Sequence, residues 1–148
     1  MRVVIQRSLD SKVLVNDKIT GSIDKGLVVL VGFTTDDDEN DINYIVRKII
    51  GLRIFDDENG IMNLSIKDIN GKILSISQFT LYADTTKGNR PSYINAMKGE
   101  YAIKLYEEFN NKLKENGIDV ETGIFGADMD VHIRNDGPVT IIIDSKVR

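Results

Sequence analysis

The chain contains no cysteine and only one histidine, His132. The first absence excludes disulfides, thiolate metal ligands and a cysteine nucleophile. The second argues against a serine–histidine triad and a multi-histidine metal site. No apolar run is long enough to span a bilayer, and the opening MRVVIQRSLD turns polar too early for a signal peptide. The expectation is a soluble cytoplasmic protein with no membrane partner. An excess of positive charge is also missing: 19 Lys and Arg against 23 Asp and Glu leave a net charge of −4. That balance argues against coating nucleic acid through a general positive field, but leaves room for a local basic surface gripping one RNA end. Chemistry must then come from carboxylates, hydroxyls, backbone groups or the substrate itself, with neither metal nor cofactor expected.

What is present is enough for a core: 148 residues, 41% of them hydrophobic, read as one domain over 1–148. Residues 2–8 and 12–16 read as strands, with Asn16-Asp17 turning the chain toward a short segment at 19–23. LVVLVGF after Gly26 reads as a strand buried on both faces. Asp36-Asp37-Asp38 offers an N-cap to a helix carrying Ile42, Ile45, Ile49 and Ile50. Residues 73–82 read as a further strand, and 83–92 as a polar loop. A second helix from about Gly99 places Ala102, Leu105, Phe109 and Leu113 on one face and stops at Gly117. Closing strands are expected at 118–121, 131–135 and 139–144. The fold class is α+β or mixed α/β, a largely antiparallel sheet with two main helices.

Four places break the pattern. In LSISQFTLY the apolar positions move from Leu74 and Ile76 to Phe79 and Leu81, a one-residue slip that a β-bulge at Ser77-Gln78 would absorb. Such a bulge would free backbone N–H groups that could stabilise an oxyanion without any ionisable side chain. In NDGP, residues 135–138, Asp-Gly signals a tight hairpin with Pro138 as first strand residue; the alternative is a cis Gly-Pro peptide. Arg7 extends the apolar row of Val3 and Ile5, either snorkelling to water or acting as an internal strut. Asp128 and Asp130 are weak as a cation site and place Met129 on the opposite face; His132 reads as a surface residue, and Asp36–Asp41 and Asp56–Glu58 as solvated.

QRS with Arg7, SQFTLYAD at 77–84, KGNRPS at 87–92, FGADMDV at 125–131 and NDGPVT at 135–140 occur in that order. On these motifs the chain resembles the D-aminoacyl-tRNA deacylase family nearly end to end. The resemblance implies hydrolysis of the ester joining a D-amino acid, or glycine, to the 3′-terminal adenosine of tRNA. It implies a homodimer with the active site at the subunit interface, Gly137-Pro138 being cis and inserted into the partner's site to exclude L side chains. Ser77, Gln78, Phe79 and Thr80 match the segment lining the catalytic pocket. Thr80 is either a nucleophile or, as we favour in the absence of an evident base, pocket lining. In the favoured case, backbone donors and the substrate's 2′-OH do the work. Gly137, Pro138, Met129 and Asn135 are the expected substrate-binding residues, and Arg7 the support of the Gly-Pro loop. The rival readings are a non-catalytic nucleic-acid-binding module and a hydrolase of small D-amino-acid esters.

Overall fold

A computed structural model describes residues 1–148. The chain runs β1 (Arg2–Ser8), β2 (Ser11–Val15), β3 (Lys18–Ile23), β4 (Gly26–Gly32), α1 (Glu39–Gly51), β5 (Phe55–Asp56) and β6 (Met62–Leu64). It continues through β7 (Lys72–Ser77), a 3-10 turn (Phe79–Tyr82), α2 (Gly99–Glu115), β8 (Asp119–Thr122), β9 (Asp130–His132) and β10 (Asn135–Asp144). The main sheet has the order β10-β1-β4-β7-β8. Its first two pairings are antiparallel and its last two parallel. A smaller antiparallel sheet, β3-β2-β9, and the β5–β6 hairpin complete it.

Alternation along the strands decides which layer each residue joins. Val3, Ile5, Leu27, Val29, Val31 and Ile73 face α1 and α2, packing with Ile42, Ile45, Ile49, Phe109 and Leu113 in a core of 20 buried residues. On the other face, Val28, Leu74 and Ile76 meet Val13 and Ile23 of the small sheet. β4 is thus covered on both sides, which is why LVVLVG carries no polar alternation. Asn16 and Asp17 take positive φ (50° and 63°), matching the two-residue turn that joins twisted antiparallel strands.

α1 begins at a reciprocal cap: the Asp38 carboxylate accepts from Asn40 and Asp41 N–H, and the Asp41 carboxylate accepts from Asp38 N–H at 3.0 Å. The acidic run is not uniformly solvated, contrary to the sequence expectation. Asp37 and Asp41 are buried, Asp37 holding the terminal ammonium of Met1 and Asp41 accepting from Lys146 at 2.9 Å. Burial alone would raise the Asp41 carboxyl. Hydrogen bonds from Lys146, Ser145 and the Asp38 backbone, with the Lys146 charge, hold it at about 2 instead.

Candidate active site

Two of the irregular stretches resolve into geometry that the local sequence did not specify. The expected strand 73–82 ends at Ser77, and no bulge follows. Gln78 N–H still reaches Val31 O at 2.7 Å; the chain then tightens into the 3-10 turn, whose first bond is Leu81 N–H to Gln78 O at 3.2 Å. The N–H groups of Phe79 and Thr80 precede that bond and so have no acceptor within the turn. The slip of apolar phase is the change from strand to helical spacing.

NDGP is not a hairpin. Residues 135–144 form one strand paired to β1, and the register jumps from Gln6↔Thr140 to Ser8↔Asn135, so the Gly-Pro segment bows out opposite Arg7. Gly137-Pro138 is cis, and Gly137 has φ +133°, where a Cβ would meet Val139 Cγ2 at 2.9 Å and the Arg7 guanidinium at 3.1 Å. The Asn135 side chain clasps this bow: its Oδ1 accepts from Val139 N–H at 3.0 Å, and its Nδ2 donates to Thr140 Oγ1 at 3.0 Å.

Arg7 is an internal strut rather than a snorkelling side chain, only 8% exposed. Its Nε donates to Asp136 O at 3.0 Å and its Nη1 to Ile54 O at 2.9 Å, with the Asp56 and Asp136 carboxylates at 3.3 and 3.4 Å. The planar fork suits several fixed acceptors, which a point-charge ammonium does not. Asp56, expected to be merely solvated, thus ties the β5–β6 hairpin to the Gly-Pro bow.

A cavity of about 690 Å³ opens outside the carboxyl ends of the parallel pair β4 and β7, where open α/β sheets bind ligands. Its walls are Phe33, Met97, Ala102 and Phe125, with Ser77, Gln78 and Phe79 on one side and Met129 on the other. Sequence reasoning missed Phe33, Tyr93 and Met97. The usable signal was Tyr93 in an otherwise polar loop; its ring meets Phe79 edge-on at 5.0 Å. Thr80 does not line the cavity, and its hydroxyl accepts from the Gln78 amide. His132 lies on β9 with its Nε2 2.9 Å from Asp130. No three His, Cys, Asp or Glu side chains come together as metal ligands.

The expected site residues fall into two groups. Ser77, Gln78, Phe79 and Met129 share the cavity; Asn135, Gly137 and Pro138 form the bow on the edge strand β10, braced by Arg7 of β1; Thr80, expected to line the pocket, belongs to neither. Arg7 lies level with Leu27 and Ser77 with Val31. The groups are therefore separated by roughly 13 Å along the strands and about 14 Å across three strand spacings.

These features define the class first: a mixed α/β protein with a largely apolar pocket edged by unpaired backbone donors and a rigid Gly-Pro bow. The family follows from comparison. The chain belongs to the D-Tyr-tRNA(Tyr) deacylase family, whose model matches residues 4–144. It is 59% identical over 147 residues to a D-aminoacyl-tRNA deacylase of Flavobacterium psychrophilum, covering 99% of this chain and 98% of that one. Over 145 residues it is 54% identical to one of Thermus aquaticus, covering 98% and 95%. Among solved structures, the c-Myc DNA Unwinding Element Binding Protein superposes with a TM-score of 0.92 at 38% identity, over 97% of this chain and 98% of that one. A probable eukaryotic D-amino acid tRNA deacylase shares the fold, with a TM-score of 0.81 at 20% identity over 96% and 97%.

Proposed function

We propose that this protein hydrolyses the ester between a D-amino acid, or glycine, and the 3′-terminal adenosine of tRNA in the cytoplasm. Water attacks the ester carbonyl, the bond to the ribose oxygen breaks, that oxygen takes up a proton, and free amino acid and tRNA leave. The Phe79 and Thr80 N–H groups face the developing oxyanion, and the substrate's own 2′-OH helps to activate the water. The observation that carries this reading is the pocket edge at Phe79, whose N–H, like that of Thr80 next to it, precedes the first bond of the turn. This reading gives the Thr80 hydroxyl no nucleophilic role, since its partner is the Gln78 amide rather than a base.

Selection against L substrates belongs to the Gly137-Pro138 bow of a second subunit, since the bow of the same chain is too far from its own pocket. A backbone wall rejects an L-oriented Cβ sterically and recognises no particular side chain, so many D-amino acids are accepted. The activity is tested by matched D- and L-tyrosyl-tRNA: the D ester is cleaved and the L ester spared, and intact D-tyrosyl-tRNA overturns the proposal. The shared site is tested by mixing subunits. A Cβ at Gly99 meets only Phe125, at 3.8 Å, so Gly99→Phe grows a ring beside the pocket, while Gly137→Ala alters the bow. Two variants inactive alone regain about a quarter of wild-type activity on random mixing, because half the dimers are mixed and each holds one intact site. No recovery, with mixed dimers demonstrated, overturns the shared site.

A second reading, nucleic-acid binding without catalysis, is favoured by the likeness to the 38% identical c-Myc DNA Unwinding Element Binding Protein. It requires binding to internal duplex or single strands with a steep salt slope and no dependence on an aminoacylated 3′ end.

A further inference from the structure

The pocket rim is charged unevenly. Between residues 84 and 98 the chain carries Lys87, Arg90 and Lys98 against one carboxylate, Asp84. The Asp84 carboxylate is turned into its own loop, accepting from Thr86 N–H and Oγ1 at 2.9 and 2.7 Å. Of the sixteen other Lys and Arg residues seven are paired, among them Arg2 with Asp144, Lys72 with Asp24, Lys112 with Glu39 and Lys146 with Asp41. Lys87, Arg90 and Lys98 are exposed and enter none of the ion pairs. In a chain of net charge −4, three unpaired cations on one segment, of which Lys98 lines the cavity, form a local positive field.

The segment is also held in place. Asp84 and Ser92 exchange backbone hydrogen bonds at 2.8 and 2.9 Å, closing the base of the loop. Met97 N–H reaches Phe33 O at 2.9 Å, and Thr34 Oγ1 reaches Asn95 O at 2.7 Å. Tyr93, 40% exposed, lines the cavity between the loop cations and Lys98. Asp128 of the 125–129 segment lines the same cavity.

Resting on the deacylase reading, we propose that Lys87, Arg90 and Lys98 form a phosphate track for the unpaired 3′ strand of the RNA, with the exposed Tyr93 ring as a stacking platform for a base preceding the terminal adenosine. A nucleotide seated in the cavity must lead its phosphodiester out over one rim. The cations of the 87–98 segment attract that charge. An aromatic beside a row of cations is the pairing that binds single strands without reading sequence.

The test compares two substrates of the full-length protein, D-tyrosyl-tRNA and the ester D-tyrosyl-adenosine, which has no phosphate. The Lys87 and Arg90 side chains enter no hydrogen bond, ion pair or cation–π contact, so Lys87→Ala/Arg90→Ala leaves the fold intact, checked by thermal melting. Each exposed cation contributes about two- to fivefold, so KM for the tRNA rises roughly 4- to 25-fold in the double variant, while the adenosine ester is cleaved with wild-type constants. The slope of log affinity against log salt falls by ~0.7 per cation removed, and Arg90→Lys keeps it. An unchanged KM for the tRNA overturns the track; so does an equal loss on both substrates, which would make the loop a support of the pocket. A wild-type protein that cleaves neither substrate overturns the deacylase reading instead, so the two failures are distinguishable.

Discussion

Replacing Arg7 by methionine keeps the apolar stem in the row of Val3 and Ile5 and removes only the guanidinium. That head group donates to two backbone carbonyls, of Asp136 and Ile54, at 3.0 and 2.9 Å. Hydrogen bonds from a charged donor contribute about 1.5–3 kcal/mol each, and a buried acceptor left alone costs about 1–3 kcal/mol. The two carboxylates add little, because Asp56 and Asp136 are 52% and 41% exposed and water screens them. Counting the carbonyls alone, and allowing for relaxation, Arg7→Met loses ~2–4 kcal/mol of unfolding free energy. For a chain of this size that lowers Tm by roughly 5–15 °C. Arg7→Lys falls between, since one ammonium cannot reproduce the fork. Urea unfolding followed by far-UV circular dichroism measures the loss. The ratio of D- to L-tyrosyl-tRNA cleavage then reports the bow, because a loosened Gly137 wall admits L substrates that a uniformly damaged protein would not cleave. Arg7→Met within ~0.5 kcal/mol of wild type, with the same D/L ratio, would refute the strut.

Thr80→Ala is expected to keep its deacylation rate within about tenfold of wild type, because it removes a hydroxyl but no backbone donor; a loss of about a thousandfold with substrate binding intact would restore the nucleophile. Gly137→Ala forces a Cβ into φ +133° and to 2.9 Å from Val139 Cγ2, costing about 1–3 kcal/mol by urea unfolding; unchanged stability and full activity would mean the bow yields freely. The acid limb should report Asp41, whose carboxyl is lowered from 3.8 to about 2. A depressed carboxylate stabilises the fold above its unfolded value, so about 2 kcal/mol is present above pH 4 and is lost as pH falls toward 2. Asp41→Asn should be less stable than wild type at pH 6 and converge with it near pH 2; parallel curves across that range would exclude Asp41 as the cause.

Features governed by local periodicity were legible in the sequence. α1 and α2 show their buried faces at helical spacing, and LVVLVG shows burial on both sides by its lack of polar residues. The misread features depend on partners far along the chain. Asp-Gly before proline carries a hairpin signal, but the conformation follows from pairing to β1, some 130 residues away, and from the Arg7 donors beneath it. Asp37 and Asp41 look like solvated cap residues until Met1 and Lys146 arrive beside them. The phase slip at Ser77-Gln78 was visible, yet a bulge and a helical turn both change the period by one residue, and only the register with β4 separates them.

That register also bears on the division of the site. The bow on β10 stands level with Arg7 and Leu27, and Ser77 on β7 level with Val31, so bow and pocket lie on strands three spacings apart. No side-chain rearrangement bridges roughly 20 Å of paired sheet, and moving either group would break ladder hydrogen bonds. Each group is nevertheless built as if to meet a ligand. The bow is braced by Arg7 and Asn135 at an edge strand, and the pocket presents backbone donors with no acceptor in their own turn. A rigid wall without a nearby cavity and a cavity without a wall are complementary halves. A symmetric pair of chains would supply both halves twice over, if its two-fold axis brought the bow of each chain to the pocket of the other. On this argument the catalytic unit we propose is the pair of chains, and the accuracy of its chiral wall rests on Arg7.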